Sequence, residues 1–533
     1  IRRQRQMCIR DRLAIGASIF ASNIGSEHLI GLAGAGASSG MAMAHWEIQG
    51  WMILILGWVF VPFYTRSMVY TMPEFLERRY NPQSRTILSV ISLVSYVLTK
   101  VAVTVYAGGL VFQQVFGIKE LWGIDFFWIA AIGLVVLTAL YTIFGGMKSV
   151  LYTSVLQTPI LLLGSLIILV LGFKELGGWD EMMRVCGAVT VNDYGDTMTN
   201  LIRSNDDANF PWLGALIGSA IIGFWYWCTD QFIVQRVLSG KNEMEARRGT
   251  IFGAYLKLLP VFLFLIPGMI AFALHQKYIG AGSEGFLPML ANGTANADAA
   301  FPTLVAKLLP AGVKGLVVCG ILAALMSSLA SLFNSSAMLF TIDFYKRFRP
   351  ETPEKKLVGI GQVATVVIVI LGILWIPIMR SVGDVLYTYL QDVQSVLAPG
   401  IAAAFLLGIC WKRTSAQGGM WGLIAGMVIG LTRLGAKVYY SNAGEVADST
   451  FKYLFYDMNW LFFCGWMFLF CIIVVIVVSL ATKAPTAEKI QGLVFGTATK
   501  EQKAATRASW NHWDIIHTVI ILAITGAFYW YFW

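Results

Sequence analysis

Polar and ionisable side chains occur inside segments of the sequence that are otherwise apolar. An ionisable group at the centre of a bilayer is costly unless it faces protein or water, so each is a candidate for function. A lone serine or tyrosine is open to interpretation as a helix–helix hydrogen bond, and Glu47 with Lys257 as a structural ion pair. Together they offer carboxylate, amide and hydroxyl partners beside aromatic rings, which suits a polyol better than a hydrophobic or strongly anionic molecule. The group consists of Asn23, Ser26, His28, Glu47, Lys100, Tyr226, Asp230, Lys257, Ser327, Ser328 and Gln391.

The most polar stretch, ASNIGSEHLI over residues 21–30, lies in the middle of an otherwise apolar segment. A glycine-flanked interruption frees backbone carbonyls, which is tolerated at membrane depth where they line a cavity or hold an ion. A soluble loop and a glycine-rich packing helix are the alternatives for this stretch alone. The carbonyls of Ala21 and Ile24, together with the hydroxyls of Ser327 and Ser328, are hard oxygen ligands without a full carboxylate cage. Such a set suits Na⁺ better than a divalent ion or a transition metal.

The composition indicates a membrane protein with many spans. The chain has 533 residues, of which 57% are hydrophobic and only 13% are charged. A soluble protein of this length carries about 25% charged residues. Apolar runs long enough to cross about 30 Å of hydrocarbon recur from one end of the sequence to the other. The sequence therefore predicts an all-α polytopic protein in a lipid bilayer.

Other classes of protein find little support in the sequence. The seven cysteines stand singly, without CxxC or Cys/His metal spacing, and there are only five histidines. No HExxH or P-loop spacing occurs, so we expect no enzyme and no organic cofactor. The formal net charge of +9 comes mainly from loops, and we interpret it as a signal of membrane orientation rather than of nucleic-acid binding.

The apolar runs predict about thirteen spans. Short basic links follow spans two, six, eight, ten and twelve, and an acidic segment, 174–209, follows span five. This alternation places the start of span one inside and Trp533 outside. The predicted spans cover, in order, about 13–40, 43–63, 87–116, 125–143, 150–173, 210–234, 251–274, 303–345, 358–378, 385–409, 418–434, 460–480 and 515–532.

Six segments in this order resemble the sodium/glucose cotransporters of the sodium:solute symporter family. The likeness runs from about residue 16 to 483, and WYWCTDQ and SNIGSEH favour the sugar-transporting branch over the proline, pantothenate and iodide branches. The segments are ASNIGSEHLIGLAG (21–34), YTMPEFLERRYN (70–81), WYWCTDQFIVQRVLSGKN (225–242), YLKLLP (255–260), LMSSLASLFNSSAMLFTIDFY (325–345) and FLLGICWKR (405–413).

The resemblance implies a LeuT-type fold with a 5+5 inverted repeat and interrupted spans one and six. It implies a first repeat at 13–173, an outer segment at 174–209, a second repeat at 210–413 and accessory helices at 414–533. In relatives, the aromatic residue at the position of Tyr226 acts as the inner gate under the sugar. The implied sugar contacts are Asn23, His28, Glu47, Tyr226, Trp227, Lys257 and Gln391, and the implied sodium ligands are Ala21, Ile24, Ala324, Ser327 and Ser328.

The sequence departs from the family's pattern at several positions. The acidic residue of the family's YTD motif is replaced by Ser154, and Ala330 stands where relatives with a second sodium site have a hydroxyl. These two residues favour one Na⁺ per transport cycle. Gly223 and Thr388 replace larger or charged residues at the rim of the pocket in some relatives. We expect residues 1–12 to be a non-native or disordered lead, with a preceding span missing.

The function that the resemblance implies is Na⁺-driven symport of a hexose, glucose or galactose, across the plasma or inner membrane by alternating access. Symport of myo-inositol or another polyol is the alternative within transport. A sugar sensor without coupled uptake is the rival from another class, and the amide of Gln391 favours transport because sensor-type relatives have Glu there. A membrane enzyme is disfavoured, since no nucleophile–base pair is evident.

Overall fold

The computed structural model describes residues 11–25, 27–67, 69, 71–290, 293–382, 385–442 and 447–533. For 141, 143–158, 334, 354–355 and 379–382 it describes the backbone alone. Most of the predicted lead, along with Ser26 and the Ser154 side chain, therefore lies outside the described parts. Asp11 is described, and its carboxylate caps the first helix by accepting a hydrogen bond from the Ala14 amide.

The first half of the chain contains the segments predicted to be spans one to five. Several spans are chains of short helices because π-helical or 3₁₀ turns interrupt them. Span one comprises Arg12–Asn23, Glu27–Leu32 and Ala33–Ser39; span two comprises Gly40–Met43, Ala44–Glu47, Gly50–Ile55, Leu56–Phe60 and Val61–Ser67. Met72–Arg79 is a short linking helix, and span three comprises Pro82–Ser95, Tyr96–Val101 and Ala102–Phe116. The strands Glu120–Leu121 and Ile124–Asp125 pair antiparallel, and Phe126–Leu176 and Trp179–Gly187 are helices.

The second half contains spans six to ten and the accessory helices. Span six comprises Trp212–Gly223, Phe224–Thr229 and Gln231–Leu238; span seven comprises Glu243–Leu256, Val261–Leu265 and Ile266–Gly280. The short helices Ala297–Ala299 and Ala300–Leu308 precede span eight, which comprises Ala311–Met338, Leu339–Tyr345 and Lys346–Phe348. Spans nine to thirteen are Glu354–Val382, Leu386–Cys410, Ala416–Asn442, Trp460–Ala481 and His512–Tyr531; Thr450–Lys452, Tyr453–Asp457, Ala487–Ile490 and Lys500–Ala508 are short linking helices.

Spans one and six are both broken, as predicted. In span one, the first helix ends at Asn23, and Ile24 has an extended backbone with φ −83° and ψ 99°. In span six, Asp230 is extended between two helical parts, with φ −74° and ψ 128°. Its carboxylate caps the second part by accepting a hydrogen bond from the Phe232 amide at 3.2 Å. The Asp230 side chain thus satisfies a backbone donor at the span-six break that would otherwise be unpaired in the membrane.

Two boundaries differ from the predictions. Span eight begins at Ala311 rather than at about residue 303, because Leu309 is extended and Pro310 precedes the new helix. Proline disfavours helical backbone at the residue before it, which accounts for this separation. Spans four and five, predicted to be joined by a turn at 145–146, form one continuous helix, Phe126–Leu176.

The outer half of span one packs directly on span seven through glycines. A Cβ atom on Gly268 would lie 1.9 Å from the carbonyl oxygen of Ala33, and one on Gly36 would lie 2.2 Å from that of Leu265. Only glycine permits so close an approach of two backbones. This contact brings the backbone of span one against span seven at Leu265 and Gly268.

Candidate functional site

Polar side chains from spans one, two, six, seven and ten surround a narrow cavity close to the breaks in spans one and six. Its volume is about 30 Å³, enough for only a few water molecules. Six of the seven residues that the resemblance assigns to the sugar line it, whereas Glu47 is fully buried behind them. The lining residues are Asn23, Glu27, His28, Trp46, Gln49, Ile222, Gly223, Tyr226, Trp227, Lys257, Tyr387, Leu390, Gln391 and Gln394.

Glu47, on span two, contacts side chains of three other spans around the cavity. It is the last residue of the short helix Ala44–Glu47, where span two is interrupted. Its Oε2 accepts a hydrogen bond from Lys257 Nζ at 2.6 Å and lies 3.2 Å from His28 Nε2. Its Oε1 accepts one from Tyr387 Oη at 2.6 Å. An ionised carboxylate only accepts, so His28 Nε2 donates to Glu47 in the tautomer that carries its proton there and accepts from Asn23 Nδ2 in the other.

Asn23 connects the break in span one to span six. Tyr226 Oη donates a hydrogen bond to Asn23 Oδ1 at 3.2 Å, and Asn23 Nδ2 lies 3.2 Å from His28 Nε2. The Tyr226 ring meets the Trp227 ring edge to face, with centroids 5.0 Å apart. Both aromatic residues belong to the π-helical turn that ends at the break in span six. The cavity therefore has an aromatic wall beside its hydrogen-bonding groups.

Three buried polar atoms of the lining have no hydrogen-bond partner among the described residues: Gln391 Oε1, His28 Nδ1 and Trp46 Nε1. An unpaired buried polar group costs about 1–3 kcal/mol. A molecule that donates to the Gln391 oxygen and accepts from the Trp46 N–H would remove that cost. A hydroxyl group has both capacities.

The sequence prediction missed several residues of the lining. Tyr387 lies four residues before Gln391 and Gln394 lies three after it, so helical spacing on span ten would have found both. The signal for Glu27 was its charge inside the interrupted stretch. Trp46, directly before Glu47, had no comparable signal.

A second buried ion pair lies next to Tyr226. Lys100 Nζ is 2.7 Å from Asp230 Oδ2, and both side chains are 4% exposed. Tyr96 Oη donates a hydrogen bond to Asp230 Oδ1 at 3.1 Å. Lys100 Nζ also lies 5.2 Å from the Tyr226 ring centroid, within the range of a cation–π contact. The pair links the break in span six to span three directly beside the cavity.

The five residues assigned to sodium lie on span one and on span eight. The two spans meet closely here, since a Cβ atom on Gly25 would lie 2.7 Å from Ser328 Oγ. The extended backbone of Ile24 ends the helix on one side of this contact, and the continuous helix Ala311–Met338 carries the two serines and Ala324 on the other. A break in the backbone beside a serine hydroxyl fits the preference of Na⁺ for neutral oxygen ligands.

Residues of the segment between spans five and six contact the end of span one. The Met41 amide donates a hydrogen bond to the Met198 carbonyl at 2.8 Å, and the Arg203 guanidinium donates one to the Ser39 carbonyl. Gly40 has φ +63°, and a Cβ there would lie 2.0 Å from the Met198 oxygen, so the tight turn requires glycine.

Asp298 accepts hydrogen bonds from the backbone at the start of span ten. Both of its carboxylate oxygens accept from the Leu386 amide, at 3.2 and 3.1 Å. Burial raises the pKa of Asp298 to about 7, although the hydrogen bond from Leu386 acts in the opposite direction. The carboxyl also lies against span one, because a Cβ on Gly34 would be 2.5 Å from its Oδ1.

The opposite side of the molecule contains a large cavity of about 1530 Å³. Its lining includes Arg85, Lys241 and Lys346, which belong to the basic links that the charge pattern places inside. The described residues thus close the site on the side of Met198 and Arg203 and leave a wide space on the side that the charge pattern predicts to be inner.

Comparisons with known proteins agree with this geometry. The model of the sodium:solute symporter family matches residues 7–426. Sodium/myo-inositol cotransporter 2 of Homo sapiens is 36% identical over 496 residues, covering 91% of this chain and 72% of its own length. Sodium/glucose cotransporter 1 of Ovis aries is 39% identical over 490 residues, with 88% and 72% covered.

A solved structure of a Na⁺-coupled sialic acid symporter, in a substrate-bound outward-open state, has a similar fold. Its TM-score is 0.67 at 21% sequence identity, and the likeness covers 90% of this chain and 92% of that one. With the breaks in spans one and six, this likeness confirms the predicted all-α LeuT-type fold. Eleven helical stretches of the described residues are long and apolar enough to cross a membrane.

Proposed function

Because this chain belongs to the sodium:solute symporter family, we propose that it couples the entry of Na⁺ to the uptake of a hexose, glucose or galactose. The family and the relatives are transporters rather than enzymes, and the chain is a multi-pass Na⁺-coupled symporter of the cell membrane. The identity of the transported substrate as a hexose is what we propose.

The observation that carries the hexose proposal is the pattern of polar atoms around the narrow cavity. It combines unpaired donors and acceptors with the aromatic wall of Tyr226 and Trp227. A sugar satisfies such a pattern because its hydroxyls both donate and accept while its C–H faces stack on rings. The residues proposed to contact the sugar, directly or through a neighbour, are Asn23, His28, Glu47, Tyr226, Trp227, Lys257 and Gln391.

Na⁺ is proposed to bind where the break in span one meets span eight. Backbone oxygens of Ala21, Ile24 and Ala324 and the hydroxyls of Ser327 and Ser328 would supply its ligands. One Na⁺ per sugar is proposed, since the buried Ala330 has no hydroxyl to offer a second ion. Each positive charge that moves inward gains about 2.3 kcal/mol per 100 mV of membrane potential.

Transport is proposed to proceed by alternating access. Na⁺ entering from outside fixes the broken segment of span one, and the sugar then binds between spans one, two, six, seven and ten. The outer contacts at Met198, Arg203 and Asp298 close the site from outside, and movement at Tyr226 opens it toward the inner cavity. The sugar must widen the cavity, because its present volume holds only a few water molecules.

Myo-inositol is the second candidate substrate. Relatives named for inositol and for glucose are similarly close to this chain, at 36% and 39% identity. Inositol carries hydroxyls of the same kind as a hexose and would engage the same donors and acceptors.

The test is uptake of radiolabelled glucose, galactose and myo-inositol into proteoliposomes under an inward Na⁺ gradient and an equal K⁺ gradient. We expect Na⁺-dependent accumulation of a hexose above its external concentration. Ser328→Ala removes one proposed sodium ligand and should abolish accumulation at physiological Na⁺. Ser336→Ala is the matched control, since Ser336 is a buried serine two turns along the same helix.

Two outcomes would contradict the proposal in different ways. Accumulation of myo-inositol but of neither hexose would replace the substrate and keep the coupling. Sugar binding without accumulation in either gradient would refute symport and favour a sensor.

A further inference from the structure

Two carboxylates belong to the proposed sugar site, and they differ in how much hydrogen-bonding capacity they have left. Glu47 faces Lys257, His28 and Tyr387 with its two oxygens. Glu27 lines the cavity and is partly exposed there, yet its side chain forms no hydrogen bond or ion pair with the described residues. A carboxylate has about four acceptor positions. The free acceptor capacity of the site therefore lies mainly at Glu27.

The position of Glu27 follows from the break in span one. It is the first residue of the π-helical turn Glu27–Leu32, immediately after the non-helical residues. Local π-helical turns are frequent at functional sites because they turn a side chain out of the regular helical register. Here the turn places the carboxylate in the cavity beside His28.

The charges around Glu27 are already engaged elsewhere. Lys100, Lys257, His28 and Glu47 lie within electrostatic reach of it. Lys100 pairs with Asp230 at 2.7 Å, and Lys257 pairs with Glu47 at 2.6 Å. Among the described lining residues, Glu27 thus adds a carboxyl group that has no cation in direct contact. A carboxylate that is largely removed from water and has no direct partner is costly unless a ligand donates to it.

We propose that Glu27 is a substrate-contacting residue that sets specificity: its carboxylate accepts hydrogen bonds from hydroxyls of a neutral sugar and repels anionic sugars. This rests on the proposed function of the same cavity. A neutral polyol supplies donors to Glu27 without adding charge. A sugar acid would bring a second negative group beside a carboxylate that has no paired cation, and like charges at short range in a desolvated site are strongly unfavourable.

The test compares the wild-type protein with Glu27→Gln, which keeps the shape and removes the charge. Uptake of the transported sugar is measured in proteoliposomes, with competition by monodeoxy analogues and by the corresponding hexuronate. A hydrogen bond to a charged group predicts a rise of about 10- to 100-fold in the half-saturating sugar concentration. We expect one deoxy analogue to be penalised in the wild type but not in Glu27→Gln, and the hexuronate to compete only in the variant.

Two further variants keep the test decisive. Glu27→Asp keeps the charge but shortens the side chain, so it should lose discrimination among deoxy analogues and still exclude the hexuronate. Glu120→Gln changes an exposed carboxylate in the outer hairpin and is the control, with wild-type behaviour expected. Monodisperse elution from a size-exclusion column shows which variants fold, and Glu27→Asp carries the test if Glu27→Gln does not.

The outcomes separate the two proposals. Unchanged uptake in Glu27→Gln, or an equal loss for the parent sugar and every deoxy analogue, overturns the role of Glu27 and leaves the symport proposal intact. If the wild type accumulates myo-inositol instead, the same comparison is made with deoxyinositols. A wild-type protein that transports no polyol overturns both proposals.

Discussion

Replacing one member of the buried Glu47–Lys257 pair should lower the stability of the protein more than replacing both. The Nζ and Oε2 atoms are 2.6 Å apart, and the Lys257 and Glu47 side chains are 4% and 0% exposed. Removing one partner of such a pair costs about 3–5 kcal/mol, because the other charge stays buried. That is a large part of the roughly 5–15 kcal/mol by which a folded protein is stable. We expect Lys257→Met to lose much of its stability and Glu47→Gln/Lys257→Met to recover part of it.

The assay is the temperature at which half of the detergent-solubilised protein is lost from its size-exclusion peak. The wild type, both single variants and the double variant form a double-mutant cycle. The double variant should melt above Lys257→Met, since it contains no unpaired charge at this position. Lys174→Met, a change at an exposed lysine, is the control. Additive losses, or wild-type stability in Lys257→Met, would refute the reasoning.

Three further predictions concern other parts of the site. Gly25→Ala places a Cβ 2.7 Å from Ser328 Oγ, so the Na⁺ concentration for half-maximal uptake should rise at least about tenfold. An unchanged Na⁺ titration would contradict the proposed ion site. Tyr387→Phe removes a 2.6 Å hydrogen bond to Glu47, so the sugar concentration for half-maximal uptake should rise about 10- to 100-fold. Wild-type kinetics would show that the hydroxyl is dispensable. Asp298 binds its proton more tightly in the folded than in the unfolded chain, so its contribution to stability is complete at low pH and is lost as pH rises through about 7. Asp298→Asn should remove that decline in the melting temperature, and a variant that keeps the wild-type slope would contradict it.

The features that the sequence predicted well have local causes. Polar and glycine residues at 21–30 cannot continue a lipid-facing helix, and the structure breaks span one at Ile24. The family was recognised from long motifs in the correct order, and the family match over residues 7–426 confirms it. Six of the seven residues assigned to the sugar lie around one cavity, although their roles in binding stay a prediction.

What the sequence did not predict depends on contacts between distant residues. Tyr387 contacts Glu47 across 340 positions of the chain, and an aromatic residue in an apolar span gives no sign of such a partner. The separation of span eight at Leu309 and Pro310 was overlooked because apolar residues flank it on both sides. Glu27 was visible as a charge, but its lack of a partner is known only once its neighbours are placed.

Both proposed sites share one segment, which suggests how sodium and sugar are coupled. Asn23 lies between the proposed sodium ligands Ala21 and Ile24, and Glu27 and His28 follow within a few residues. An ion that fixes the backbone at the break therefore also positions the side chains that face the sugar. Conversely, a sugar held by those side chains would order the carbonyls that are proposed to bind the ion. Such a mutual gain is the reciprocity that any coupled binding requires, and it needs no separate pathway between the sites.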